Sequence, residues 1–277
     1  MTIGSNRLFQ VFKYAVYAFL AMNVYWFFIE EYAAAALQFA DGVNLGNFRE
    51  AYSSTVDTFA WVVLLLMFEL ETYVLEDRHF TRPVTVTLHG MRFLCYATIT
   101  LMFFGYIDNL QFFNAAAILE GINSVCALPA EGWSWSIDID EYEAITAANC
   151  ATWTDSSTLY QFQGMKAVVD KTGLIEIIRL AWVDVINAGV WLLVVLVLEI
   201  DVRLQEHNRL EGFVLHASNA IKFVLYAILF IAAVYWGIKG DFVDFWDAFL
   251  WLVAFIFIEL NVFEWRQEER AAASAVG

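Results

Sequence analysis

The chain has 277 residues, of which 61% are hydrophobic and 17% aromatic, and only two are proline. Its mean hydropathy of +0.59 is far from that of the average soluble domain. A net charge of −16 at pH 7 argues against a nucleic-acid partner, because binding to phosphates requires a basic surface. Composition alone therefore predicts an integral membrane protein.

Six apolar stretches follow one another along the chain, and each is long enough, or nearly so, to cross about 30 Å of hydrocarbon as a helix. We predict the membrane spans at 8–29, 56–75, 92–107, 180–202, 221–238 and 245–262. The first stretch is long and has no small-residue cleavage site, so we expect a retained span and not a signal peptide.

The positive charges predict the orientation. Six crossings place the two termini and the connections near 76–92 and 203–222 on one side, which carries ten lysines and arginines against five on the other. Lysine and arginine near the ends of spans are retained in the cytoplasm. We therefore expect both termini to be cytoplasmic, in a bacterial inner membrane or a plasma membrane.

The segment 108–178 would then lie outside the cytoplasm, as an insertion between the third and fourth spans. It contains Cys126 and Cys150, which we expect to form a disulfide in an oxidising compartment, with two unpaired thiols as the alternative. Closing a loop of about 25 residues would contribute about 3 kcal/mol to stability. The stretch WSWSIDIDEYE alternates in the manner of a short strand, which places Trp133 and Trp135 on one face.

An internal repeat organises the spans. The second, fourth and sixth spans align without a gap as DTFAWVVLLLMFELE, NAGVWLLVVLVLEID and DAFLWLVAFIFIELN. Each has aspartate or asparagine first, tryptophan four positions later and glutamate twelve positions later. The other three spans share a pattern too, in KYAVYA, RFLCYA and KFVLYA. Recurrence at fixed offsets indicates three copies of a two-helix hairpin.

We therefore predict an all-α membrane protein of three tandem hairpins, with repeats at 8–77, 92–208 and 221–266, related by a pseudo-threefold axis along the membrane normal. The symmetry places three motif glutamates at one depth, namely Glu69, Glu199 and Glu259. Three basic residues that each lie a few residues inside the cytoplasmic end of a span fall at a matching depth, namely Lys13, Arg92 and Lys222.

These charges allow two interpretations. In the first they form ion pairs that fix how the hairpins pack, with Tyr17, Tyr96 and Tyr226 as hydroxyl partners one turn deeper. In the second the glutamates line a path for cations or protons. A further polar row, formed by Asp57, Asn187 and Asp247, lies about 18 Å nearer the outside and is turned by about 120° from the glutamates. The two rows therefore form no straight stripe, which weakens the second interpretation.

The motif tryptophans lie one turn inside this outer row, at Trp61, Trp191 and Trp251. They are interpreted either as an aromatic belt at the outer interface of the membrane or as a hydrophobic constriction.

Our preferred function is a cation or proton channel, or a subunit of a transport complex, acting as a homo-oligomer or within a larger membrane assembly. One alternative is a non-catalytic membrane subunit or scaffold that binds partner proteins, pigments or quinones. Another is an enzyme in which the glutamates and the cytoplasmic histidines, namely His79, His89, His207 and His216, hold a metal. No cofactor is predicted, and a metal ion, lipid or quinone is implied only by these alternatives.

Overall fold

A computed structural model describes residues 3–39, 41–71, 81–122, 124–128, 132–153, 158–207 and 210–257, with only the backbone for 3–8 and 206. The protein is mostly helical, at 74%. The helices are α1 (Ile3–Gln38), the single turn α2 (Phe48–Ala51), α3 (Ser53–Glu69), α4 (Arg82–Asn114), α5 (Lys171–Glu206), α6 (Gly212–Lys239) and α7 (242–257).

Among the described residues, four helices are long and apolar enough to cross a membrane. They are Phe9–Gln38, Arg82–Asn114, Lys171–Gln205 and Gly212–Lys239. The α3 helix has 17 residues, and α7 is described only as far as residue 257. The ends of two predicted spans, at residues 75 and 262, lie outside the described residues. Four of the six predicted spans therefore coincide with candidate membrane helices.

The chain divides into two compact units. One consists of Met1–Asn23 with Leu193–Gly277 and is called the terminal unit here, and the other is Val24–Leu192, the central unit. The division falls inside α1 and inside α5, so each of these helices contributes to both units.

The first helix of each predicted hairpin buries residues at the same offsets from its basic residue. Counting from Lys13, Arg92 and Lys222, the buried positions lie three, seven and ten residues later. They are Val16, Leu20 and Asn23 in α1, Cys95, Ile99 and Met102 in α4, and Leu225, Leu229 and Ala232 in α6. This spacing is that of one face of an α-helix, so the three helices present corresponding faces to their surroundings.

The segment between α4 and α5 folds into a small sheet, and the all-α expectation is therefore not confirmed. Its strands are β1 (Ala117–Ile118), β2 (Ser134–Ser136), β3 (Tyr142–Ala144), β4 (Leu159–Gln161) and β5 (Ala167–Asp170). They lie in the order β1-β4-β5-β2-β3. Only the β2–β5 pair is parallel, with Trp135 opposite Val168. The strand predicted from the alternating stretch is confirmed as β2.

The segment 115–170, called the outer domain here after its predicted side of the membrane, has its own core. Leu159, Phe162 and Val168 are fully buried in it, and the rings of Trp135 and Trp153 stack with their centroids 5.0 Å apart. The predicted disulfide between Cys126 and Cys150 is confirmed, with Cα atoms 5.0 Å apart.

The helices that flank the outer domain extend further than their apolar runs. The predicted insertion covers 108–178, whereas α4 continues to Asn114 and α5 begins at Lys171. Phe113 at the end of α4 and Ile177 in the first turns of α5 are buried in the core of the domain. Burial against this core, and not the length of the apolar run, therefore decides where these helices end.

Candidate functional site

In the central unit an ion pair joins α4 to the chain two residues after the end of α3. The Arg92 guanidinium lies 2.6 Å from the Glu71 carboxylate, and their side chains are 33% and 23% exposed. Arg92 is therefore part of an ion pair. Its partner here is the residue two positions after the motif glutamate.

The terminal unit repeats this pairing between α5 and α6. Lys222 Nζ lies 3.1 Å from Asp201 Oδ2, and the side chains are only 10% and 4% exposed. The Ser218 hydroxyl donates a hydrogen bond of 2.7 Å to the same oxygen. Asp201 occupies the position in the second repeat that Glu71 occupies in the first.

The motif glutamates lie on a different side of their helices from these pairs, because residues two positions apart on an α-helix point about 200° apart. Glu69 is 6% exposed, and Glu199 is half-buried. Glu259 lies outside the described residues. Lys13 and Tyr17 are buried in α1, whereas Tyr96 and Tyr226 are half-buried.

The outer row is best defined at Asp247 in α7. Asn23 donates a hydrogen bond of 2.8 Å from Nδ2 to Asp247 Oδ1, and the side chain of Trp251 is also hydrogen-bonded to this carboxylate. Aspartate and tryptophan four positions apart face each other across one helical turn. This contact explains the spacing of the motif in α7. Asp57 and Asn187 are half-buried at the corresponding positions.

The three motif tryptophans share nearly the same burial. Trp61, Trp191 and Trp251 are 8%, 7% and 6% exposed. In the central unit the rings of Trp61 and Trp191 lie with centroids 6.1 Å apart. An aromatic belt exposes its rings to lipid headgroups, so this burial favours a place inside the helix packing.

Glu31 in α1 is a buried carboxylate outside every repeated motif. It accepts hydrogen bonds from the backbone N–H groups of Ser54, at 2.6 Å, and Thr55, at 3.0 Å. These N–H groups belong to the first turn of α3 and have no partner within the helix. Glu31 thus caps α3 from a neighbouring helix, and the partial positive charge of the helix end stabilises the carboxylate.

The same region gathers further acidic groups around Tyr106 of α4. The Tyr106 hydroxyl is hydrogen-bonded to the Ser54 side chain, and Asp57, Glu31 and Asp184 lie within electrostatic range of it. The cluster therefore draws on α1, α3, α4 and α5, all within the central unit.

Sequence reasoning missed Glu31 and Asp184 for different reasons. Glu31 lies just beyond the predicted end of the first span at residue 29, whereas α1 continues to Gln38. The apolar run that follows Glu31 was the available signal. Asp184 lies inside the predicted span 180–202 and was overlooked because it is absent from the repeated motif.

The other two helices that carry the tryptophan motif are also capped by carboxylates. Asp170 Oδ1 accepts a hydrogen bond of 2.7 Å from the N–H of Gly173 at the start of α5. Asp241 Oδ1 accepts one of 3.2 Å from the N–H of Asp244 at the start of α7. Burial raises the pKa of Asp241 above its ordinary value. A carboxylate thus caps the start of each of these two helices.

The described histidines do not gather around the glutamates. His89, His207 and His216 each place Nδ1 within 2.8 Å of the backbone carbonyl oxygen four residues earlier in the chain. His79 lies outside the described residues. Within the described ranges no three histidine, cysteine, aspartate or glutamate side chains are grouped so that they could hold a metal ion.

Comparisons with known proteins leave the function to be argued from these residues, because no family model, no curated protein and no solved structure matches the chain.

Proposed function

We propose that the protein is a membrane transport protein that conducts protons through carboxylates buried between its helices, alone or as a subunit of a transport complex. The observation that carries the proposal is Glu69, which is 6% exposed in the apolar helix α3 and recurs in sequence at Glu199 and Glu259. A carboxylate inside a membrane costs several kcal/mol and marks a functional site by default.

We further propose that six helices cross the membrane around a pseudo-threefold axis. Three junctions support this arrangement. Arg92 joins α4 to Glu71, which lies just after α3. Lys222 and Asp201 join α6 to α5, and a hydrogen bond from Asn23 to Asp247 joins α1 to α7. In each case the first helix of one predicted hairpin meets the second helix of another, as a closed ring of repeats requires.

Protons fit the described carboxylates better than hydrated cations do. Asp247 is hydrogen-bonded by the side chains of Asn23 and Trp251, and Glu31 by two backbone N–H groups of α3. Direct protein donors take the places that a hydrated ion would need, whereas a proton passes between hydrogen-bonded groups. In the proposed path, the cluster around Tyr106 would accept protons on the outer side. The motif glutamates would carry them on the cytoplasmic side.

Flux into liposomes tests the proposal. Protein reconstituted into vesicles with an internal pH-sensitive dye should acidify them when a potassium gradient and valinomycin set a negative internal potential. We expect Glu69→Gln and Glu199→Gln to slow acidification with little loss of thermal stability. The control is Glu141→Gln, because Glu141 is exposed in the outer domain and its replacement should change neither quantity.

Two results would contradict the proposal. The first is wild-type vesicles that acidify no faster than empty ones. The second is unaltered flux in Glu69→Gln together with a loss of about 3 to 5 kcal/mol of stability, which is the cost of breaking a buried ion pair. That second result would assign the glutamates to helix packing.

A second candidate is a non-catalytic membrane subunit that binds a partner, pigment or quinone. It is favoured by the aromatic side chains exposed on α1, among them Tyr25, Trp26 and Tyr32. The optical spectrum of protein purified in a mild detergent tests the pigment and quinone forms, since either group absorbs where tryptophan and tyrosine do not.

A further inference from the structure

A buried pair of opposite charges joins α5 to α6, and the path proposed above makes no use of it. Lys222 Nζ lies 3.1 Å from Asp201 Oδ2 in an ion pair. The Ser218 hydroxyl donates a hydrogen bond of 2.7 Å to the same oxygen. Ser218 and Lys222 are four residues apart on α6 and so lie on one face of it. All three side chains are buried in the terminal unit.

The corresponding pair in the central unit differs in three respects. Arg92 and Glu71 are 33% and 23% exposed, against 10% and 4% for Lys222 and Asp201. Arginine replaces lysine, and Leu88 stands where Ser218 stands in the third repeat. Of these two described pairs, the one in the terminal unit is the more buried, and a hydroxyl donates to its carboxylate.

The choice of lysine decides what the buried pair can do. An arginine guanidinium stays protonated in proteins, whereas a desolvated lysine ammonium gives up its proton readily. Lysine therefore offers the carboxylate a proton that can be transferred, which the arginine of the corresponding pair does not.

We propose that Lys222 and Asp201 form a proton relay, an inference that rests on the proposed function and names the group through which its path meets the cytoplasm. The N–H bond of Lys222 Nζ breaks as an O–H bond forms on Asp201 Oδ2, which leaves a neutral pair. Asp201 then releases this proton to water, and the Lys222 amine takes the next proton from the path. One proton crosses the pair in each cycle.

Other charged groups set the conditions for this exchange. At this end of the helices, the described part of the terminal unit also carries Lys13 on α1, Glu199 and Arg203 on α5, and His216 on α6. Glu199 precedes Asp201 by two residues, so it points to a different side of α5 from the pair. The Ser218 hydroxyl donates to the carboxylate and holds Oδ2 towards Nζ.

The substitution Lys222→Arg separates a relay from a structural ion pair, because it keeps the positive charge and removes the transferable proton. We expect proton flux into liposomes to fall about a hundredfold, the usual scale of a lost proton-transfer group, with thermal stability retained. Asp201→Asn should reduce flux to the same degree, and Asp201→Glu should restore part of it. The matched control Arg92→Lys alters the half-exposed pair and should leave flux unchanged.

An infrared measurement tests the pair without any transport. Difference spectra of the wild type between acidic and alkaline pH should contain a carboxylic acid carbonyl band that Asp201→Asn lacks and Glu71→Gln retains. Unchanged flux in Lys222→Arg would overturn the relay and leave the proposed function standing. Absent flux in the wild type would overturn the proposed function. The infrared band would then show whether the pair exchanges a proton: its presence supports proton exchange at Asp201, and its absence overturns the relay.

Discussion

Several carboxylates in this protein accept hydrogen bonds from the free N–H groups at the starts of helices. Asp170 and Asp241 cap the helices that they precede, whereas Glu31 reaches α3 from another helix. Such a cap satisfies N–H groups that no residue of the same helix can reach. The sequence does not reveal Glu31 in this role, because its contact with Ser54 depends on how α1 packs.

Replacing Glu31 tests its role as a cap. Glu31→Ala leaves two buried N–H groups of α3 without their acceptor, and we expect it to destabilise the protein by about 2 kcal/mol. Glu31→Gln is the matched control, because the amide keeps one acceptor oxygen and removes a buried charge, so its effect should stay within about 1 kcal/mol. Chemical unfolding in detergent measures both. Equal stability of Glu31→Ala and the wild type would show that the cap contributes nothing.

Glu50 in α2 makes the stability depend on pH. Burial, and after it the negative charge of Asp108, raises the pKa of Glu50 above its ordinary value of 4.5, although Arg49 opposes the shift. The folded state therefore binds this proton more tightly than the unfolded state. The contribution of Glu50 to stability falls as pH rises through the interval between the ordinary and the raised pKa, and it stays low above that interval.

We expect Glu50→Gln to remove this dependence. The free energy of unfolding of the variant, relative to that of the wild type, should be higher at about pH 7 than at about pH 4. Thermal unfolding at the two pH values is the measurement. Glu141→Gln controls for the loss of one negative charge, because Glu141 is exposed. The same difference between variant and wild type at both pH values would contradict the shift at Glu50.

At the scale of the elements, the apolar runs predict the four candidate membrane helices but not their ends. The apolar run of the third span ends at residue 107, yet α4 continues to Asn114 because Phe113 is buried in the outer domain. Strands of two to four residues such as β1 and β5 are too short for an alternating pattern to show. The strand β2 was predictable because tryptophans alternate with serines along it.

Gly105 allows α4 to lie close to α2. A Cβ at this position would overlap the backbone carbonyl oxygen of Arg49, and backbone cannot yield as a flexible side chain can. We expect Gly105→Ala to cost about 1 to 3 kcal/mol, the usual range for overpacking. Thermal unfolding in detergent is the measurement.

Gly90 in the same helix provides the control. A Cβ there meets nothing within 4 Å, so Gly90→Ala should raise stability through helix propensity by up to about 1 kcal/mol. A loss of stability in both variants would indicate that α4 tolerates no alanine for a reason other than its contact with α2.

At the scale of the whole molecule, the recurring motif is visible in the sequence because tryptophan and glutamate are rare in membrane spans. Two basic residues of the motif, Arg92 and Lys222, form ion pairs in the described part of the chain. The sequence did not distinguish the motif glutamates from the acids two residues later, because both recur and only packing shows which one meets the basic residue. The outer domain lies between the two helices of the second predicted repeat. The other predicted repeats contain no similar segment, so the motif gives no information about its sheet.

The predicted orientation is open to a direct test. We expect a fluorescent protein that folds only in the cytoplasm to be bright when fused after Gly277. We expect Lys166→Cys, in the outer domain, to react with a membrane-impermeant thiol reagent on intact cells, because residues 108–178 are predicted to lie outside. Cys95→Ala in the background removes the buried thiol. A dark fusion together with labelling only after lysis would reverse the assignment of sides.

The chain enters the outer domain from α4 and leaves it into α5. The core of the domain includes Phe113 from α4 and Ile177 from α5. A body attached at two points and packed against both supports cannot swing as it would on a single tether. For electron cryomicroscopy this makes it a landmark, because a chain of 31.7 kDa has little mass by which particle images can be aligned. An antibody fragment bound to the domain would keep a fixed angle to α4 and α5, and images aligned on the fragment would resolve these helices first.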